Sequence, residues 1–192
     1  RRIDWASSFW IVFLFIPLFF VIRTDMPGPL KALGVIGLGV FACVYTWAVS
    51  TMAVWLELPA GAGLLDQLRP VASRIALLAG VALVSAPGLN WWYTLTYLPY
   101  FCAITLFATT LRTGLIISGC LTVLTNLVVF ALAPMTDIRW AAFGFSLSTI
   151  IVVVSRIGAE LNARREAEKR KLVVAAEREE IGRNVHDILG HS

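Results

Sequence analysis

AAFGFSLSTIIVVVSRIGAELNARREAEKRK, residues 141–171, changes character at its middle. As far as Val154 it carries no charge, and from Arg156 to Lys171 charged residues dominate. No proline follows Pro134, and the stretch is rich in Ala, Glu, Arg, Lys and Leu, residues that lose little on entering a helix. One helix is therefore predicted from Ile138 to the end, leaving an apolar solvent for water near Ser155. From Ser155 to Ser192 such a helix would reach roughly 55 Å at 1.5 Å per residue.

Upstream of this break the chain is apolar throughout. Of its 192 residues 58% are hydrophobic and 15% charged, against about 25% charge in a soluble domain. That much apolar surface exceeds what a core of this size hides from water, so lipid is the expected solvent. A spanning helix needs roughly 20 mostly apolar residues, and about six windows qualify. They are Ala6–Ile22, Leu30–Leu56, Val71–Ala86, Trp92–Leu111 with Pro99 as a kink, Thr113–Ala133, and a last one from Ile138. The third is short and contains Arg74; without it five spans remain. The runs are continuous rather than alternating, which predicts helices and not a barrel, because backbone groups in hydrocarbon must pair internally. Trp5, Trp10, Trp55, Trp91, Trp92, Tyr93 and Trp140 fall near window ends, where amphipathic rings suit the headgroup level. Glu57 to Pro70, rich in Pro and Gly, reads as a connector.

Six spans put both termini on one side. Arg156, Arg164, Arg165, Lys169, Arg170 and Lys171 assign that side to the cytoplasm by the excess of Lys and Arg found there. Arg1, Arg2, Arg69 and Arg112 then lie inside, against Arg23, Lys31 and Arg139 outside. The opening Arg1-Arg2, without Met, implies preceding residues. The first apolar run has no small-residue cleavage site and reads as a retained span. Cys43, Cys102 and Cys120 read as small buried hydrophobes, since their spacing fits neither a disulfide framework nor a metal site. Gly34, Gly37 and Gly39 predict a close helix-packing surface, and Asn126, near Thr122 and Thr125, reads as interhelical glue rather than a ligand contact. Arg74 is expected to snorkel to the cytoplasmic surface. The domain division expected is 1–155 for the membrane part, 156–173 for a juxtamembrane linker or coiled coil, and 174–192 for the helix described next.

On the charged helix Val174, Ile181, Val185 and Ile188 form one narrow stripe, three of them seven residues apart, with Lys171 and Arg178 along its edge. A seam of this kind seeks a partner helix and predicts a homodimer. The pairs Glu160–Arg164, Glu166–Arg170 and Glu179–Arg183 have the i,i+4 order that supports a solvated helix. The basic cluster Arg164–Lys171 reads either as a dock for anionic lipid or as a solvated face. The chain's two histidines, His186 and His191, stand in the string Glu177-Arg-Glu-Glu-Ile-Gly-Arg-Asn-Val-His186-Asp187-Ile-Leu-Gly-His191. His186 projects away from the stripe at about 100° per residue. Near pH 7 a neutral imidazole is a competent nucleophile, and an adjacent carboxylate can take its second ring proton. His186 and His191 diverge by about 140°, unlike the i,i+4 pair of a helical zinc site, so no metal site is expected.

The string resembles the dimerisation and phosphoacceptor helix of the NarL/DesK-type sensor histidine kinases, E-R-x-R-I-A-R-[ED]-L-H-D-x-[LV]-G-[HQ]. It departs at Glu180, Gly182, Asn184 and Val185, and covers about 15 residues. The resemblance implies that His186 is the phosphoacceptor and Asp187 the acidic neighbour that activates it. It implies that His191, with Asp187, positions water to dephosphorylate the partner. It further implies a homodimer in the bacterial inner membrane, ATP and Mg as reactants of the full-length protein, and a LuxR/NarL-type response regulator as partner. No direct contact with nucleic acid is implied. The family's ATP-binding domain lies downstream of this helix, so the chain is expected to end inside the helix. No glycine-rich phosphate loop stands in the sequence. The outer loops are too short for a ligand-binding domain, so any signal is expected at or within the bilayer, from lipids or a lipophilic compound. The rival reading is a small polytopic transporter or scaffold with a coiled tail, which predicts polar groups lining a path through the spans.

Overall fold

A computed structural model describes residues 9–52, 56, 58, 61–132 and 136–190. Side chains of 9, 10, 136, 137, 182 and 184–190 lie outside the description, as do Trp5, Trp55, Glu57 and Pro134. Among the described residues the chain is all-helical, with no strand. The α-helices are α1 (Phe15–Arg23), α2 (Gly28–Thr51), α3 (Leu64–Ser85), α4 (Leu98–Ala108), α5 (Leu111–Leu132) and α6 (Thr136–Gly190). Tighter 3₁₀ turns occupy Phe9–Leu14, Ala86–Leu89 and Trp92–Tyr97. Four helical stretches are long and apolar enough to cross a membrane: Gly28–Thr51, Leu64–Leu89, Leu111–Leu132 and the one beginning at Ile138.

Two windows differ from the sequence reading in kind. The first and fourth are composites, a 3₁₀ stretch leading into a short α-helix. Pro99 sits in the first turn of α4, where its missing N–H costs nothing, so it starts a helix instead of kinking one. The third window is longer than expected. Its helix begins at Leu64, six residues before Pro70, because Gly63 and Asp66 form a cap: Gly63 N–H donates to Asp66 Oδ2 at 3.3 Å. The connector read as ending at Pro70 loses seven residues, Leu64 to Pro70, to the helix.

The chain divides into two compact units, one ending at Val153 and one running from Val154. In the first, α2 packs along α3 and α4 along α5, and α1 packs on α2. Phe41 is the centre of the core: fully buried, its ring lies 4.0 Å from Tyr97 and meets Tyr100 edge-on at 5.6 Å. Tyr45 closes the cluster with an edge contact to Tyr100 at 5.0 Å. Two glycines make this approach possible. A Cβ on Gly34 would collide with the backbone of Gly88, and one on Gly37 with Ser85. Gly39 faces open space, so the packing surface is narrower than the three-glycine spacing suggested. The chain reverses before Trp92 through Asn90 and Trp91, both at left-handed φ (52° and 44°). Asn adopts that region readily, a bulky Trp rarely.

Large apolar side chains, among them Ile36, Leu83, Leu124, Leu127 and Phe143, point outward. In water this would be a liability; on a spanning helix it is the lipid-facing surface. Of the cysteines only Cys102 is buried; Cys43 and Cys120 face outward, correcting the expectation that all three are core.

Candidate functional site

The segment carrying the histidines is helical along its backbone as far as Gly190. His186 and Asp187 lie on that backbone with side chains outside the described residues, and His191 lies outside them altogether. What the structure gives is the frame leading to them. Arg156 is fully buried, and its Nη1 donates to Glu160 Oε2 at 2.8 Å. Arg164 Nε donates to the other oxygen, Glu160 Oε1, at 3.3 Å. One carboxylate thus joins two guanidinium groups one turn either side. Glu160 stands beyond the uncharged run ending at Val154, and the hydrogen bond from Arg156 holds its carboxyl below the ordinary 4.5, partial burial opposing. Arg183 Nη2 donates to Glu179 Oε1 at 2.7 Å, with both side chains exposed. Among the described residues Glu166 and Arg170 form no ion pair.

The apolar stripe is exposed: Val174 is 47% and Ile181 61% accessible. Val185 and Ile188 complete the expected seam, with side chains outside the described residues.

Arg156 escaped the sequence reading, which counted it only among the basic flank. The signal is local: Arg156 and Glu160 stand four apart, in Arg-before-Glu order. Arg74 is held at the end of α2. Its Nη2 donates to Thr51 O at 3.0 Å, where α2 ends, its Nη1 to Pro70 O at 2.8 Å, and its guanidinium stands 5.7 Å from the Trp47 ring. A cation on the last carbonyls of α2 complements the negative end of that helix. Gln67, buried, ties two loops: its Nε2 donates to Ala62 O at 2.8 Å, and its Oε1 accepts from Thr110 N at 3.0 Å. Asn126 Nδ2 donates to Ser146 Oγ at 2.7 Å, the interhelical bond expected of it.

Between α3, α4 and α5 lies an open groove of about 680 Å³, bordered by Ala79, Ala82, Leu95, Phe101 and Ile117 and dotted with Thr94, Thr105 and Thr125. Its size is that of a small-molecule site, roughly 300–1,000 Å³. No family model, no curated protein and no solved structure matches this chain.

Proposed function

We propose that the chain is the membrane and phosphoacceptor part of a bacterial sensor histidine kinase, six times through the inner membrane with both ends in the cytoplasm. The observation that carries the reading is the string Glu177–His191, which follows an apolar run on the same predicted helix. The helical backbone of α6 from Thr136 to Gly190 supports it. Six crossings are supported by length. Beside the four long stretches, the composite Trp92–Ala108 reaches about 28 Å and Phe9–Arg23 about 25 Å, at 2.0 Å per 3₁₀ residue and 1.5 Å per α residue. A hydrocarbon core is roughly 30 Å.

His186 is the nucleophile. A ring nitrogen forms a bond to the transferred phosphorus, the nucleotide diphosphate leaves, and Asp187 takes the proton from the other ring nitrogen. The phosphoryl group then passes to an aspartate of a LuxR/NarL-type regulator, and His191 with Asp187 orients water to remove it again. Gly34 and Gly37 are committed to helix packing. As the resemblance implies, ATP and Mg would be held by a nucleotide-binding domain of the full-length protein. Dimerisation uses the C-terminal end of the stripe, Val185 and Ile188. The stimulus acts in the bilayer, and the apolar groove over α4 is suited to a lipophilic molecule. Tilt or rotation of α6 would convert the stimulus into access to His186.

The test is autophosphorylation of the full gene product in membranes with labelled ATP, wild type against His186→Gln. Acid-labile label that disappears in the variant is expected. Label that persists overturns the reading and returns the transporter or scaffold to first place.

A further inference from the structure

We infer that the face of α6 between Ala167 and Ile181 docks on anionic lipid and is not a seam for a second copy. The inference rests on reading the apolar start of α6 as a membrane span, and is independent of phosphoryl chemistry. At about 100° per residue, Ala167, Val174 and Ile181 stay within about 40° of one another. Arg170 flanks them on one side, and Lys171 and Arg178 on the other. Arg170, Lys171, Val174 and Arg178 are all exposed on this face of the helix. Glu166 and Glu177 lie about 60–80° from the centre of the stripe. Glu160, in line with the stripe one turn and more upstream, is held by Arg156 and Arg164.

The charge pattern decides between occupants. In a parallel pair of copies Val174 and Ile181 take d positions, so Arg164, Lys171 and Arg178 take a, each facing its own copy across the seam. The flanking positions do not compensate. Arg170 would face Ala175, and Glu177 would face Gly182, so no opposite charge crosses. Like charges in register repel. The same pattern suits a sheet of phosphate: valine and isoleucine reach the acyl boundary while the long basic side chains on both flanks hold the headgroups. α6 is continuous from Thr136 to Gly190, so docking requires the helix to bend between its apolar start and Ala167. Pairing of copies then belongs to the part of the seam beyond Ile181.

The test uses the full chain with Cys43, Cys102 and Cys120 replaced by Ser and one spin label, at Val174→Cys or, as control, at Glu166→Cys. It is reconstituted in phosphatidylcholine vesicles with or without phosphatidylglycerol. The label at 174 is expected to be shielded from an aqueous relaxant only in the anionic vesicles, and to be released by salt. The label at 166 stays accessible. Neutralising Arg170, Lys171 or Arg178 to Gln weakens docking about fivefold each, and all three together roughly a hundredfold. Unchanged amide protection across residues 167–181, with an unchanged thermal transition of the apolar helices, shows that each variant is folded. Shielding with spin–spin broadening in neutral vesicles would mean that a second copy covers the stripe. Equal exposure in both vesicle types would mean that nothing does. Either overturns the inference, and neither bears on whether His186→Gln abolishes phosphorylation.

Discussion

Residues 9–153 and residues 154–190 are both helical, yet they hold their helices by different means. In the first unit a helix such as α4 is short and almost wholly buried, and α2 exists in its place because Phe41, Tyr45, Gly34 and Gly37 meet partners distant in sequence. In the second the described side chains meet mostly their own helix: Arg156, Glu160 and Arg164 in one chain of pairs, Glu179 and Arg183 in another. Exposed i,i+4 pairs are worth about 0.3–0.5 kcal/mol each. In lipid no hydrophobic drive acts between helices, so in that solvent helices as apolar as these depend on close packing. The second depends on propensity and local charge. A substitution should therefore act in one region by shape and in the other by backbone preference.

The largest break expected is Gly34→Leu. It drives a side chain into the backbone of Gly88 and should cost about 3 kcal/mol or more, read as a lowered thermal transition of the detergent-solubilised protein. Ala167→Pro should cost about 3 kcal/mol of local helix stability, seen as lost amide protection around residue 167, while that thermal transition stays where it was. If Ala167→Pro lowers the transition as Gly34→Leu does, the two regions are not separate. Phe41→Ala should cost about 2 kcal/mol from the cavity term, there being no large transfer term when lipid is the alternative. Asn126→Ala should cost about 0.6 kcal/mol, and a double-mutant cycle with Ser146→Ala should recover most of it.

The smallest effect concerns pH. Because the folded carboxyl of Glu160 titrates below its ordinary 4.5, its pairing stabilises the helix fully above that value. The contribution is lost as pH falls through the lower, folded value. Amide exchange at residues 157–164 should accelerate there, and Glu160→Gln should remove the pH dependence.

How much of this was legible depends on whether the deciding interaction is local. Apolar runs bounded by Pro, Gly and charge located the helices, because solvent preference is a property of composition. The start of α3 was misplaced since Pro70 reads as a stop, although Gly63 and Asp66 three residues apart already spelled a cap. Nothing local announces that Gln67 will reach Thr110, or that Trp91 will accept a left-handed φ. The glycine pattern of α2 was legible as a surface but not as to which members touch, because that depends on where Gly88 and Ser85 arrive. The His186-Asp187 chemistry was legible only as a string of residue types, since its geometry rests on side chains outside the described residues.

The 3₁₀ stretches carry a consequence in terms of length. Phe9–Leu14 and Trp92–Tyr97 are six residues each and rise about 2.0 Å per residue, where an α-helix rises 1.5 Å. Rewinding either into α-helix would shorten its segment by about 3 Å without moving a residue in or out of the apolar run. That difference of about 3 Å is on the scale by which bilayer thickness itself varies.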